Sequence, residues 1–147
     1  MLDENQATEL LSSAGVKPTA QRVDIARVLF ARPQHLSADQ VLAQLRSVGQ
    51  DCSRATVYNT LGLFERRGLV REVVVDPSRV FYDSTPGPHH HFYNVDTGEL
   101  SDIEPDAVSL SRLPALPSGT EHAGTDVIVR IRQAQRPDSS VGRATDS

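Results

Sequence analysis

Three consecutive histidines, His89-His90-His91, stand out in a chain that has five histidines in all. On an extended strand alternate side chains share a face, so His89 and His91 point together and His90 points away. Asp102 follows eleven residues after His91. A tight turn around Asp96-Thr97-Gly98 would fold a second strand back and bring Asp102 beside His91. Asp83 stands six residues before His89, and His35 lies well upstream in Pro33-Gln34-His35-Leu36. Together His35, Asp83, His89, His91 and Asp102 offer three imidazoles and two carboxylates. Such a nitrogen and oxygen set without thiolate suits Fe2+ or Mn2+, and it accepts Zn2+ in vitro. The carboxylates would also offset a divalent charge. Plainer roles stand beside this one: single histidines often sit on surfaces or caps, and Asp83 and Asp102 can be turn and strand-end residues. Two histidines and a carboxylate with open positions also describe non-heme iron oxygenases, although those need a larger substrate-enclosing barrel than this chain can build. The sequence has no Gly-x-Ser-x-Gly, and its lone Cys52 is not near a histidine in sequence.

The second chemical signal is Ser53-Arg54-Ala55-Thr56-Val57-Tyr58-Asn59-Thr60-Leu61. If Val57, Leu61 and Phe64 face a core, then Ala55, Tyr58, Asn59, Gly62 and Arg66 lie on the outer side of one helix. Small residues let such a helix approach base edges. Asn59 can pair bidentately with adenine, and Tyr58 or the Thr56 methyl can touch a thymine methyl. Ser53 and Arg54 at the helix start can hold a phosphate, helped by the positive end of the helix dipole. Lys17 and Arg22 can add backbone contacts. An ordinary solvated helix face has the same periodicity, since helical packing of this kind is common in proteins that bind no DNA.

Positioning these groups falls to a simple series of elements. Residues 3–14 read as a helix stopped by Gly15. Thr19 caps a second helix through about Ala31, ended by Pro33, and Ser37 caps a third, closed by Gly49. Ser53 caps a fourth, ended by Gly68. Strands Leu69–Val75 and Arg79–Tyr82 follow, joined by a turn at Asp76-Pro77-Ser78. Helices followed by a short hairpin is the order of a winged helix. Two prolines and a glycine in Ser84-Thr85-Pro86-Gly87-Pro88 make a hinge. Beyond it the pattern predicts strands His89–Val95 and Glu99–Ile103, a short helix from Pro105 to Leu113, and a strand from Thr125 to Ile131. From about Arg136 the chain is polar and without periodicity, the pattern of a disordered tail.

The bulk properties bound the rest. With 147 residues and 38% hydrophobic content the chain can form one domain or two very small ones. Two lobes of that size would each be marginal, which favours a shared dimer core. No stretch approaches the roughly 20 apolar residues of a membrane span, and the acidic, polar N-terminus is not a signal peptide. A cytoplasmic protein is expected. The single cysteine excludes an internal disulfide and any Cys-x-x-Cys zinc clamp. Residues 1–84 hold ten basic and ten acidic side chains, and residues 85–147 five and nine, for a net charge of −4. Nucleic-acid binding would therefore need a local basic face.

Ala14-Gly15-Val16-Lys17-Pro18-Thr19-Ala20-Gln21-Arg22, His35-Leu36-Ser37-Ala38-Asp39, the Ser53–Leu61 segment, Gly68-Leu69-Val70, Phe81-Tyr82-Asp83, His89-His90-His91-Phe92 and Asp102-Ile103 together resemble the ferric uptake regulator superfamily in order and spacing. The resemblance covers about residues 8–132. It implies an α/β chain, more narrowly α+β, with a winged-helix DNA-binding domain over 1–83, a hinge at 84–88 and a small α/β dimerisation and metal-sensing domain over 89–135; 136–147 remain as tail. It implies a homodimer on AT-rich palindromic duplex operators, with His35, Asp83, His89, His91 and Asp102 as regulatory metal ligands clamping one lobe to the other. The chain also departs from the family. Asn94 and Thr97 stand where a first Cys-x-x-Cys pair would be, and no second pair exists, so structural zinc is not expected. The auxiliary metal site keeps His90, but Ser109 and Asp126 replace stronger ligands and His122 is a weak substitute. The cysteine-free His-His-His-Phe pattern resembles the iron response regulator branch, where heme or iron status sets DNA binding. Aspartate at both 83 and 102 resembles the peroxide-sensing branch, where Fe2+ directs oxidation of a ligand histidine, by carry-over His35 or His91. The Cys-Pro heme motif of the first branch is absent, since Cys52 is followed by Ser53.

Overall fold

Each helix of the first half begins on a side chain that accepts a backbone hydrogen bond. The computed structural model describes residues 2–85 and 90–135. Asp3, Thr19, Ser37 and Ser53 cap helices α1 (Glu4–Ser13), α2 (Ala20–Leu29), α3 (Ala38–Ser47) and α4 (Arg54–Arg66), each accepting from the N–H three residues on. At α1 and α3 the glutamine at that third position, Gln6 or Gln40, reaches back to the cap's own N–H and completes a capping box. Each cap contributes about 1 kcal/mol. At the far end of α4, Gly68 takes φ 76°. Its N–H donates to Glu65 O (3.0 Å), and Leu69 N–H donates to Phe64 O (2.9 Å). This left-handed stop turns the chain into the following strand.

Strands β1 (His35–Ser37), β2 (Arg71–Asp76) and β3 (Arg79–Asp83) form an antiparallel sheet in the order β1-β3-β2. In β2, Val73 and Val75 are buried while Glu72 and Val74 face out. Leu11, Ile25, Leu29, Val41, Leu45, Val57, Leu61 and Phe64 form the wholly buried centre of the helical layer. Phe30 packs on Phe64 with ring centroids 5.9 Å apart. A helical layer closed by this small sheet is the winged-helix arrangement.

The chain divides into two compact units between Gly87 and Pro88. In the second, β4 (His90–Asn94) is the central strand, antiparallel to β5 (Leu100–Ile103) and parallel to β6 (Ile128–Ile131). The whole is an α+β fold; among the described residues the α-helices all lie in the N-terminal unit. Among the described residues, no helix is long and apolar enough to cross a membrane.

Several elements differ from the sequence expectation. β1 was not anticipated, because three residues are too few to show alternation. The second helix stops at Leu29, with Phe30 as its C-cap, rather than near Ala31. β2 starts at Arg71 because Leu69 belongs to the helix stop. The helix expected over Pro105–Leu113 is only a 3₁₀ turn, Pro105–Ala107. Its N-cap Glu104 makes no side-chain cap bond, and Val108 is already extended. Pro114 further biases Leu113 away from helical geometry. β6 begins at Ile128 rather than Thr125. His89 and the expected tail from Arg136 lie outside the described residues.

Candidate metal centre and nucleic-acid interface

Four of the five anticipated ligands fall into two cross-strand pairs, one in each unit. In the first, His35 on β1 is the register partner of Asp83 on β3. Opposed residues of antiparallel strands share a face with Cβ atoms about 4.5–5.5 Å apart. The His35 ring also meets Phe81 edge-on at 6.5 Å between centroids. Asp83 is 1% exposed, and its Oδ1 accepts the Thr85 N–H at 2.8 Å. Across the sheet Arg71 on β2 is the other register partner of Asp83. His35, Asp83 and Arg71 thus form a row of imidazole, carboxylate and guanidinium. Nothing in the sequence pattern singled out Arg71; only strand register places it there.

In the second unit His91 on β4 faces Asp102 on β5. His91 Nε2 lies 3.5 Å from Asp102 Oδ1, with the imidazole buried and the carboxylate half exposed. An imidazole nitrogen and a carboxylate oxygen at that separation fit a shared small divalent cation. The donor set again lacks sulfur, as Mn2+ and Fe2+ prefer. His90 is half-buried on the opposite face, and its Nδ1 accepts the Val127 N–H at 2.9 Å. Of the other auxiliary-site positions, Ser109 and Asp126 are exposed. His122 Nε2 lies 2.7 Å from Thr125 Oγ1. His89 lies outside the described residues.

The outer face of α4 carries the groups anticipated for DNA. Ala55, Asn59 and Arg66 are exposed, and Tyr58 is 47% exposed. Thr56 and Asn59 line a cleft of about 340 Å³ whose opposite wall is the start of α2, with Thr19, Gln21 and Arg22. Ser53 Oγ is engaged in the cap, accepting the Thr56 N–H at 3.1 Å and meeting Thr56 Oγ1 at 2.9 Å. Arg54 pairs with Asp39 in the first turn of α3. The Arg22 guanidinium donates to the Lys17 backbone carbonyl at 3.1 Å. Gln21 was not singled out from sequence, although a carboxamide in the first turn of the preceding helix is the signal that could have found it. Cys52, two residues before α4, is buried in the core of this unit. Desolvation, then the carboxylates of Asp24 and Asp51, push its thiol above the usual range, which suits a packed residue and not a reactive one.

Residues 13–115 match the model of the ferric uptake regulator family. The chain is 38% identical over 92 residues to the ferric uptake regulation protein of Pseudomonas putida, covering 61% of this chain and 69% of that one. It is 36% identical over 110 residues to the corresponding protein of Vibrio cholerae serotype O1, covering 74% and 71%. The solved ferric uptake regulator of Pseudomonas aeruginosa with manganese superposes with a TM-score of 0.64 at 28% identity, over 91% of this chain and 100% of that one. Sequence and fold agree that the chain belongs to the ferric uptake regulator family, as a metal-dependent transcription regulator of iron or manganese homeostasis and not an enzyme.

Proposed function

We propose that this chain is a cytoplasmic homodimer that binds AT-rich palindromic operators when a divalent cation, Fe2+ or Mn2+, engages His35, Asp83, His89, His91 and Asp102. The observation that carries the reading is the pairing of imidazole with carboxylate across strands in both units, His35 with Asp83 and His91 with Asp102. The relative solved with manganese supports a cation of this class. When bound, the cation supplies the charge that lets two acidic and three imidazole side chains act as one set. The chain's own residues do the rest. β1 and β3 hold one pair, β4 and β5 hold the other, and residues 84–88 act as the hinge between the 1–83 and 89–135 lobes. Ligands drawn from both lobes favour one arrangement over the free range of the hinge, which is a population shift toward the DNA-competent dimer. Lys17, Arg22, Ser53, Arg54, Thr56, Tyr58 and Asn59 form the duplex surface, with Tyr58 and Asn59 on base edges and the cations on phosphate. Exposed Val129 and Ile131 on β6, with Leu110, Leu113 and Leu116 before it, supply the apolar surface for the second protomer.

Duplexes selected from a random pool test this reading. Binding should be tight with Mn2+ and lost with chelator, and His91→Ala should remove the metal dependence. Equal affinity in metal-free and metal-loaded protein overturns it. Peroxide sensing is the alternative within the family, and it rests on aspartate at both carboxylate positions, Asp83 and Asp102. Peroxide treatment of the Fe2+ form should then add one oxygen to a ligand histidine and release DNA. Release by heme titration instead would assign the iron response branch.

A further inference from the structure

β6 is a short edge strand of four residues, Ile128–Ile131, yet it lies directly beside the strand that carries His91. Its backbone pairing to β4 is brief, and a parallel ladder is slightly less stable per residue than an antiparallel one. Side chains of β4 supplement that pairing at both ends. At the start, the Val127 N–H donates to His90 Nδ1 (2.9 Å) while the His91 N–H donates to Val127 O (3.1 Å). At the finish, Asn94 Nδ2 donates to Gln133 Oε1 (2.9 Å), and the Gln133 N–H donates to Asp96 Oδ2 (2.9 Å). Asn94 Oδ1 meanwhile accepts the N–H groups of Asp96 (2.9 Å) and Thr97 (3.1 Å), which shapes the β4–β5 turn. A nearly buried carboxamide therefore joins that turn to the segment after β6.

We infer that His90 and Asn94 are positioning residues that bind β6 to both ends of the metal strand, giving a thiolate-free crosslink that holds His91 in place. His90 spends its Nδ1 on the backbone, and its contribution to metal binding runs through His91. Loss of either side chain lets β6 open and frees the His91 segment on that side. The consequence for metal affinity rests on the metal reading of His91; the crosslink itself does not.

Hydrogen exchange of the full chain in chelator reads the crosslink without metal. His90→Ala or Asn94→Ala should speed exchange across residues 127–133 by about tenfold or more while α1–α4 stay protected. Gln133→Ala, which leaves the turn intact, should speed only the end of β6. His90→Asn puts an acceptor oxygen where Nδ1 stands and should restore protection. Unchanged exchange in both alanine variants, or His90→Asn as fast as His90→Ala, overturns the inference. Titration with Co2+ then reads the second step from its visible spectrum. His90→Ala should weaken binding about ten- to a hundredfold, with His90→Asn close to the native protein. Native affinity in His90→Ala overturns the link to His91. Failure of the native protein to bind Co2+ would instead remove the metal reading and leave the exchange result standing.

Discussion

The two units solve the problem of burial in opposite ways. The N-terminal unit encloses a helical core of aliphatic side chains and Phe64, with capped helices around it. In the C-terminal unit the buried side chains among the described residues are Tyr93, Leu100 and Ile103 together with His91 and Asn94, so polar groups form much of the interior. Val95, Leu110, Leu113, Leu116, Val129 and Ile131 meanwhile stay exposed. A unit that packs its aliphatic side chains into one large cluster has a core of its own beneath α4. A unit that spends its interior on an imidazole and a carboxamide depends on hydrogen bonds, and its outer apolar side chains suit a second protomer.

The comparison can be broken most directly at the buried imidazole. His91→Ala should cost at least about a hundredfold in Mn2+ affinity, beyond the range for outer-shell partners, while leaving the helical unit intact by circular dichroism. A calorimetric titration matching the native protein would refute the assignment. Next comes the difference in cores. Leu61→Ala should destabilise the N-terminal unit by about 2–5 kcal/mol, and Leu100→Ala should fall at or below the lower end of that range, both read from urea unfolding. Equal losses would erase the contrast between the units. Ile131→Asp should weaken self-association by more than about 1 kcal/mol in sedimentation equilibrium, and a dimer that ignores the added charge places the interface elsewhere. Asn59→Ala should lose about 1–3 kcal/mol of operator affinity with an unchanged salt slope, whereas Lys17→Ala should lower that slope by about one. The smallest effect concerns Cys52. With its thiol pushed up by burial and by Asp24 and Asp51, the fold holds the proton more tightly than the unfolded chain does. The stabilisation is then complete at neutral pH and fades as pH rises from the ordinary thiol range up through the raised folded value. Alkylation of native protein at neutral pH should be slow and should become rapid in denaturant.

Much of the N-terminal unit was legible because its signals are local. Thr19, Ser37 and Ser53 are cap residues whose partners lie three positions away, and Val57, Leu61 and Phe64 repeat at helical spacing. His91 opposite Asp102 was legible too, since a tight turn fixes the register of a hairpin. The expected helix after Pro105 failed for an equally local reason: Pro114 and Pro117 follow too closely, and the first turn lacks a side-chain cap.

What the sequence determined by itself was the donor chemistry, the capped helices and the tight hairpins, because each depends on residues a few positions apart. The tertiary structure decided that His35 sits on a strand opposite Asp83, that Arg71 flanks the same carboxylate, and that β6 lies parallel to β4, the strand of His91. It also decided that His90 accepts a backbone N–H from Val127 and that Asn94 donates to the Gln133 side chain. Those pairings join residues distant in sequence, and their energy appears only once the chain has closed the loops between them.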